Sequence, residues 1–176
     1  AVDGGSTAWA ASGRQLESGS GDAIPSGLEA ARGQVKMVSP KELDAAKPAS
    51  VICVEISSDF AAGHVPGARW VPRGSLEMEI SGIALDKSAA IAVTCNNGQN
   101  AALAGATLKE MGYQDVSVLE GGIAAWRQAG LGVEQGLAGV MRPPTDIVPS
   151  GPERNFADMM NYLRWETALG EKYAAD

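Results

Sequence analysis

The 176 residues are 45% hydrophobic and carry a net charge of −7, with Lys plus Arg at 14 against Asp plus Glu at 21. That much apolar content permits a packed core, while the acidic balance argues against a nucleic-acid binder or an anionic membrane surface as partner, since both need a basic footprint. No apolar run approaches the roughly 18 residues of a membrane span, and two cysteines with a single histidine are too few for a structural zinc site or a disulfide-dense secreted scaffold, so neither metal nor cofactor is expected.

The first segment, Val2 to Gly19, reads VDGGSTAWAASGRQLESG and is echoed by LEGGIAAWRQAGLGVEQG at Leu119 to Gly136. Gly4, Gly5, Ala8, Trp9, Gly13, Glu17 and Gly19 recur as Gly121, Gly122, Ala125, Trp126, Gly130, Glu134 and Gly136. The offset is the same for every pair, roughly 117 residues, which is one small domain rather than a solenoid repeat. Just beyond, the run from Asp22 to Glu29 echoes the run from Asp146 to Glu153. The organisation implied is residues 1–20 as the tail of a preceding copy, 21–34 as a Gly/Ser-rich linker, 35–136 as one full domain and 137–176 as a C-terminal extension. An opening Ala-Val-Asp in place of Met, with no basic-then-apolar targeting pattern, fits a piece cut from a longer cytoplasmic chain.

Ser39-Pro40-Lys41-Glu42 is a capping box with Pro at the first helical position, starting a helix that runs to about Ala46. Ser50 to Glu55 is a β-branched apolar run and predicts a buried strand. Ser57 or Ser58 can cap a short helix over residues 59–62, which Gly63-His64-Val65-Pro66-Gly67 breaks. Ala68 to Val71 predicts a short strand, Ser75 to Ile80 a helical turn, and Ala89 to Thr94 the most apolar strand. A helix from about Asn100 to Met111 shows helical spacing at Leu103, Ala104, Thr107, Leu108 and Met111 and stops at Gly112. Val116 to Leu119 is the last strand, and Ile123 to Ala129 a helix stopped by Gly130. After a Pro-rich stretch, Glu153 to about Tyr173 forms an amphipathic helix with Phe156, Met159, Met160, Tyr162, Leu163 and Leu169 as its apolar stripe. The alternation predicts an α/β fold: a small, mostly parallel sheet flanked by helices, plus a C-terminal helical extension. In such sheets chemistry sits beyond the carboxyl ends of the strands.

Cys95 stands at that place, and the loop after it reads Cys95-Asn96-Asn97-Gly98-Gln99-Asn100 before a helix begins. Helix-start amides are unpaired and form an anion cradle. A cysteine in such a cradle is expected to have a lowered pKa and to act as a thiolate nucleophile. By position alone the residue is equally a small buried cysteine ending a strand.

Residues 51–136 resemble a rhodanese domain. The typical Asp-Val-Arg strand end, acidic–aromatic pair and Gly-His-Ile-Pro-Gly-Ala turn read here as Cys53-Val54-Glu55, Asp59-Phe60 and Gly63-His64-Val65-Pro66-Gly67-Ala68. The typical Cys-x-x-Gly-x-Arg loop reads Cys95 to Asn100, and the Leu-x-Gly-Gly-x-x-x-Trp-x-x-x-Gly close runs from Leu119 through Gly121, Gly122 and Trp126 to Gly130. Tyr162-Leu163-Arg164-Trp165-Glu166 is similar to the ends of tandem multi-rhodanese sulfurtransferases, which would make this the last repeat of an array and neighbouring repeats its partners. The resemblance implies a transfer: a sulfane sulfur passes from a small donor such as thiosulfate or a persulfide to Cys95, then to a thiol or cyanide acceptor. Asn96, Asn97, Gly98, Gln99 and Asn100 would form the cradle mainly through their N–H groups.

Three departures shape the expectation. Asn100 replaces the loop arginine, and Cys53 and Glu55 replace the Asp and Arg of the first motif, so fixed cations are missing and a dianionic donor should bind less well. Arg73, just after the second strand, is the candidate for supplying the lost charge, or is a solvated surface residue. Cys53 is either a resolving thiol near Cys95 or buried apolar filler. His64 is read as holding its turn by hydrogen bonds rather than as a base, and Trp9 and Trp126 as core aromatics. The alternative function is a catalytically silent rhodanese-like module for binding or scaffolding. A Cys-dependent phosphatase or arsenate reductase ranks last, because such loops carry one more residue and keep the arginine.

Overall fold

The structure, a computed structural model, describes residues 3–16, 24–140, 143–147 and 156–173. Five short strands form one sheet: β1 (Lys36–Val38), β2 (Ser50–Cys53), β3 (Arg69–Trp70), β4 (Ile91–Thr94) and β5 (Val116–Leu119), in the order β1-β5-β4-β2-β3. Every pairing is parallel. Among the described residues the helices are α1 (Gly5–Ala11), α2 (Leu28–Gln34), α3 (Pro40–Ala46), α4 (Ser57–Ala62), α5 (Leu76–Ile83), α6 (Gln99–Glu110), α7 (Gly122–Gln128) and α8 (Phe156–Tyr173). Central β4 is buried along its whole length, which is why it reads as an unbroken apolar run: helices cover both faces. Ile52, Val93, Leu108 and Val118 fill the core on one face of the sheet, and Phe60, Trp70, Ala92, Leu119 and Trp126 the core on the other.

The strands and helices expected between residues 39 and 130 are all present, with ends shifted by up to three residues. The capping box at Ser39 forms in full, with Ser39 N donating to Glu42 Oε2 at 2.8 Å and Glu42 N to Ser39 Oγ at 3.4 Å. Three expectations are corrected. Residues 28–34 are not linker: they form α2, which follows Gly27 in the left-handed region (φ 80°) and buries Leu28 and Ala31 against α6. Small residues hid the amphipathic spacing. Neither Ser57 nor Ser58 caps α4; the cap comes from far along the chain, where Asp146 Oδ2 accepts from Ser57 N at 2.7 Å. Trp9 is not a core aromatic, being 37% exposed where Trp126 is 4% exposed.

Trp9 nonetheless sits in a local copy of its counterpart's structure. Gly4 and Gly5 have φ of 74° and 61°, and Gly121 and Gly122 have 67° and 60°. Trp9 Nε1 donates to Gln15 O at 3.1 Å, and Trp126 Nε1 to Gly132 O at 2.8 Å, each six residues on. Thus α1 repeats the glycine turn, the first helical bond and the indole bond of α7, yet it buries no residue. Positions Glu17, Gly19 and Asp22 of the repeat, and residues 148–155 including Glu153, lie outside the described residues. The apolar residues Met159, Tyr162, Leu163 and Leu169 of α8 are exposed.

Candidate active site

The loop after β4 owes its shape to the turn between β5 and α7. Ile123 N donates to Cys95 O at 2.9 Å and Ala124 N to Asn96 O at 3.2 Å. The carbonyls of the loop are thus held outward. Gly122 must be glycine, because a Cβ there would collide with Cys95 O and with Asn96. Gly98 (φ 86°) then turns the chain into α6, packed so closely that an added Cβ would stand 3.2 Å from Gly121 N and Leu119 O. With its carbonyls fixed, the loop turns amides inward. Gly98 N and Ala101 N donate to Cys95 Sγ at 3.1 and 3.3 Å, and Asn97 Oδ1 lies 3.9 Å from the sulfur.

Of the loop positions expected to face the sulfur with an N–H group, Gly98 does so. Asn96 N is spent on Glu55 Oε1 at 3.1 Å and Gln99 N on Asn97 Oδ1 at 3.0 Å. Neither Gln99 nor Asn100 bonds the sulfur through its side chain. Ala101, one residue past the expected loop, completes the nest; as the third residue of α6 its amide has no partner inside the helix, so the signal was present in the sequence. Glu55 and Asp59 were also missed as loop partners. Asp59 Oδ2 accepts from Asn96 Nδ2 at 2.6 Å. Both acids follow the carboxyl end of β2, where the strand-end rule directs attention.

The electrostatics run against expectation. Cys95 is 1% exposed. Burial pushes its thiol pKa up rather than down, and the nearby Glu55 charge adds to the rise; the amides of Ala101, Asn97 and Gly98 oppose it without prevailing. Arg73 is not at the loop. Its guanidinium is taken by Glu77 Oε1 at 2.8 Å, one turn along, and by Thr107 Oγ1 at 2.9 Å, two turns down α6. Cys53 packs in the core with Phe60 and Trp70 rather than in that of Cys95, and burial drives its pKa up to about 11, features that suit buried filler better than a resolving thiol. His64 donates from Nδ1 to Phe60 O at 2.7 Å and stacks on the Phe60 ring at 3.7 Å, and its backbone pairs with Glu134, a structural use.

Two surface pockets flank these elements, and neither is lined by Cys95. One of about 240 Å³ lies beside Asn96, between Asp59 and Arg127. The other, of about 430 Å³, lies at the amino end of β2 around Ser50, Lys47 and Arg69, away from the loop.

A parallel sheet whose central strand delivers a cysteine into an amide-lined turn defines an α/β protein built around one sulfur. The sequence model of the rhodanese-like domain matches residues 39–129, and the chain belongs to that family. Thiosulfate sulfurtransferase GlpE of Stutzerimonas stutzeri is 33% identical over 94 residues, 52% of this chain and 84% of the relative. Its namesake in Pseudomonas putida is 34% identical over 97 residues, covering 53% and 86%. Among solved structures, a thiosulfate sulfurtransferase from Pseudomonas aeruginosa superposes with a TM-score of 0.66 at 26% identity, covering 92% of this chain but only 30% of that one. The polysulfide-sulfur transferase homodimer of Wolinella succinogenes gives 0.54 at 30% identity over 61% of this chain and 84% of its own. Among the described residues no helix is long and apolar enough to cross a membrane.

Proposed function

We propose that the protein is a sulfurtransferase in which Cys95 accepts a sulfane sulfur and passes it to a thiol or to cyanide. The observation that carries the reading is the pair of amides at 3.1 and 3.3 Å from Sγ, a geometry suited to holding the negative charge of a persulfide. The Cys95 thiolate attacks the outer sulfur of a donor R–S–SH; the new S–S bond forms as the old one breaks, and RS⁻ leaves. Cyanide then takes the outer sulfur as thiocyanate and regenerates the thiolate. The names of the relatives support this class of chemistry. With Glu55 and Asp59 bonded to the loop and Arg73 committed elsewhere, a dianion such as thiosulfate is repelled, so a persulfide is the better donor. Asn97, exposed and touching the sulfur through Oδ1, is the side chain that moves to admit it.

The second reading, a silent binding module, is favoured by the closed and weakly acidic thiol. Loading with a low-molecular-weight persulfide separates the two. The sulfurtransferase gains one sulfur atom on Cys95 by mass spectrometry and then yields thiocyanate with cyanide, and Cys95→Ser does neither. A wild-type protein that neither gains mass nor forms thiocyanate is the silent module.

We further read the chain as one repeat of an array, with residues 1–20 the end of a preceding copy. The glycine torsions and indole bond that α1 shares with α7 support this, as does the length of the Pseudomonas aeruginosa chain, roughly three times that of this one by the shares matched.

A further inference from the structure

Cys95 has no cation of its own, yet one stands beside its loop. Arg127 lies on α7, the helix whose first turn is pinned to the Cys95 and Asn96 carbonyls. Its Nη2 donates to Ala62 O at 3.2 Å, a carbonyl that also accepts from Gln135 Nε2 at 3.2 Å. The guanidinium lies where a side chain on Gly63 would otherwise project. One of its five N–H groups is thereby used, and among the described residues no carboxylate lies within ion-pair distance of it. Asp59 nevertheless lines the same pocket of about 240 Å³, with Asn96 between the acid and Cys95. A cation and a carboxylate that share a cavity without neutralising each other complement a zwitterion. A dianion would meet the guanidinium but also the acid wall, and a neutral ligand would leave both charges unanswered.

We infer that this pocket binds a small zwitterionic α-amino acid, Arg127 taking the carboxylate and Asp59 the ammonium, on the side of the loop away from the Cys95 sulfur. The pocket adjoins Asn96 and not the sulfur, so this binding does not rest on the sulfurtransferase reading.

Amide chemical-shift mapping with S-methylcysteine, which carries both charges but no transferable sulfur, tests the site directly. Saturable shifts at Ala62, Gly63, Asn96 and Ala124 are expected in the wild type and in Cys95→Ser. Affinity should fall about tenfold in Arg127→Gln, the loss of one charge-assisted contact, and recover in part in Arg127→Lys. The analogue lacking the ammonium, 3-(methylthio)propionate, should bind more weakly than S-methylcysteine. The inference is overturned if no saturable shifts occur, or if Arg127→Gln, with the rest of its spectrum unchanged, binds as the wild type does. Binding without sulfur loading of Cys95 would retain the pocket and sink the transferase; loading without binding would do the reverse.

Discussion

At the scale of single residues the contest is between burial and hydrogen bonding at one sulfur. Burial wins, so Cys95 is mostly protonated at neutral pH and its reactivity rises with pH. The alkylation rate of Cys95 by iodoacetamide should still be climbing at pH 9.0, the ordinary thiol value, with no plateau in the neutral range. Glu55→Gln keeps an acceptor for Asn96 N while removing the charge that raises the thiol, so it should speed alkylation at neutral pH severalfold; an unchanged rate would show that the carboxylate has no electrostatic hold on the sulfur. Cys53 acts on stability instead. A thiol raised in the folded state favours folding below its ordinary pKa, and that contribution is lost as pH rises from 9.0 through about 11. Cys53→Val should therefore flatten the alkaline limb of a urea-midpoint profile.

At the scale of elements, short helices and strands are held by distant partners, and this set the limit of what the sequence revealed. The capping box at Ser39 is local, four residues long, and was legible. The cap on α4 was not, since Asp146 lies 89 positions from Ser57 and no local pattern connects them. Asp146→Ala should cost about 1 kcal/mol by urea denaturation, as the loss of a helix cap does. The loop's Cys and Gly were visible as a motif, but the depth of the thiol depends on packing by β5 and α7, which no spacing encodes. Gly122→Ala should cost about 3 kcal/mol, because a Cβ would strike the Cys95 carbonyl from a left-handed backbone. The same change at Gly5 meets nothing within 4 Å yet keeps the left-handed strain (φ 61°); because α1 buries no residue, that strain should stay local and leave the unfolding midpoint where it is.

At the scale of the whole molecule the repeat was legible because glycines and tryptophans keep their spacing, while the burial of each copy was not. Helix α1 has the conformation of α7 but buries nothing, so deleting residues 1–16 should leave the thermal midpoint unchanged while removing the fluorescence of a half-exposed indole. A fall of several degrees would show that the segment belongs to this domain's own core. The parallel sheet was predicted from the alternation of elements; α2 and β1 escaped because a Gly- and Ala-rich stretch looks like linker until α6 is there to pack against.

The packing of the two cysteines in separate cores has a consequence for turnover. A protein that could close an internal disulfide would expel its cargo unaided and fall idle until reduced. Here the second thiol packs in the other core with its pKa raised to about 11, which disfavours that exit, so a charged Cys95 waits for an outside nucleophile, and its lifetime between encounters is set by the concentration of that visitor.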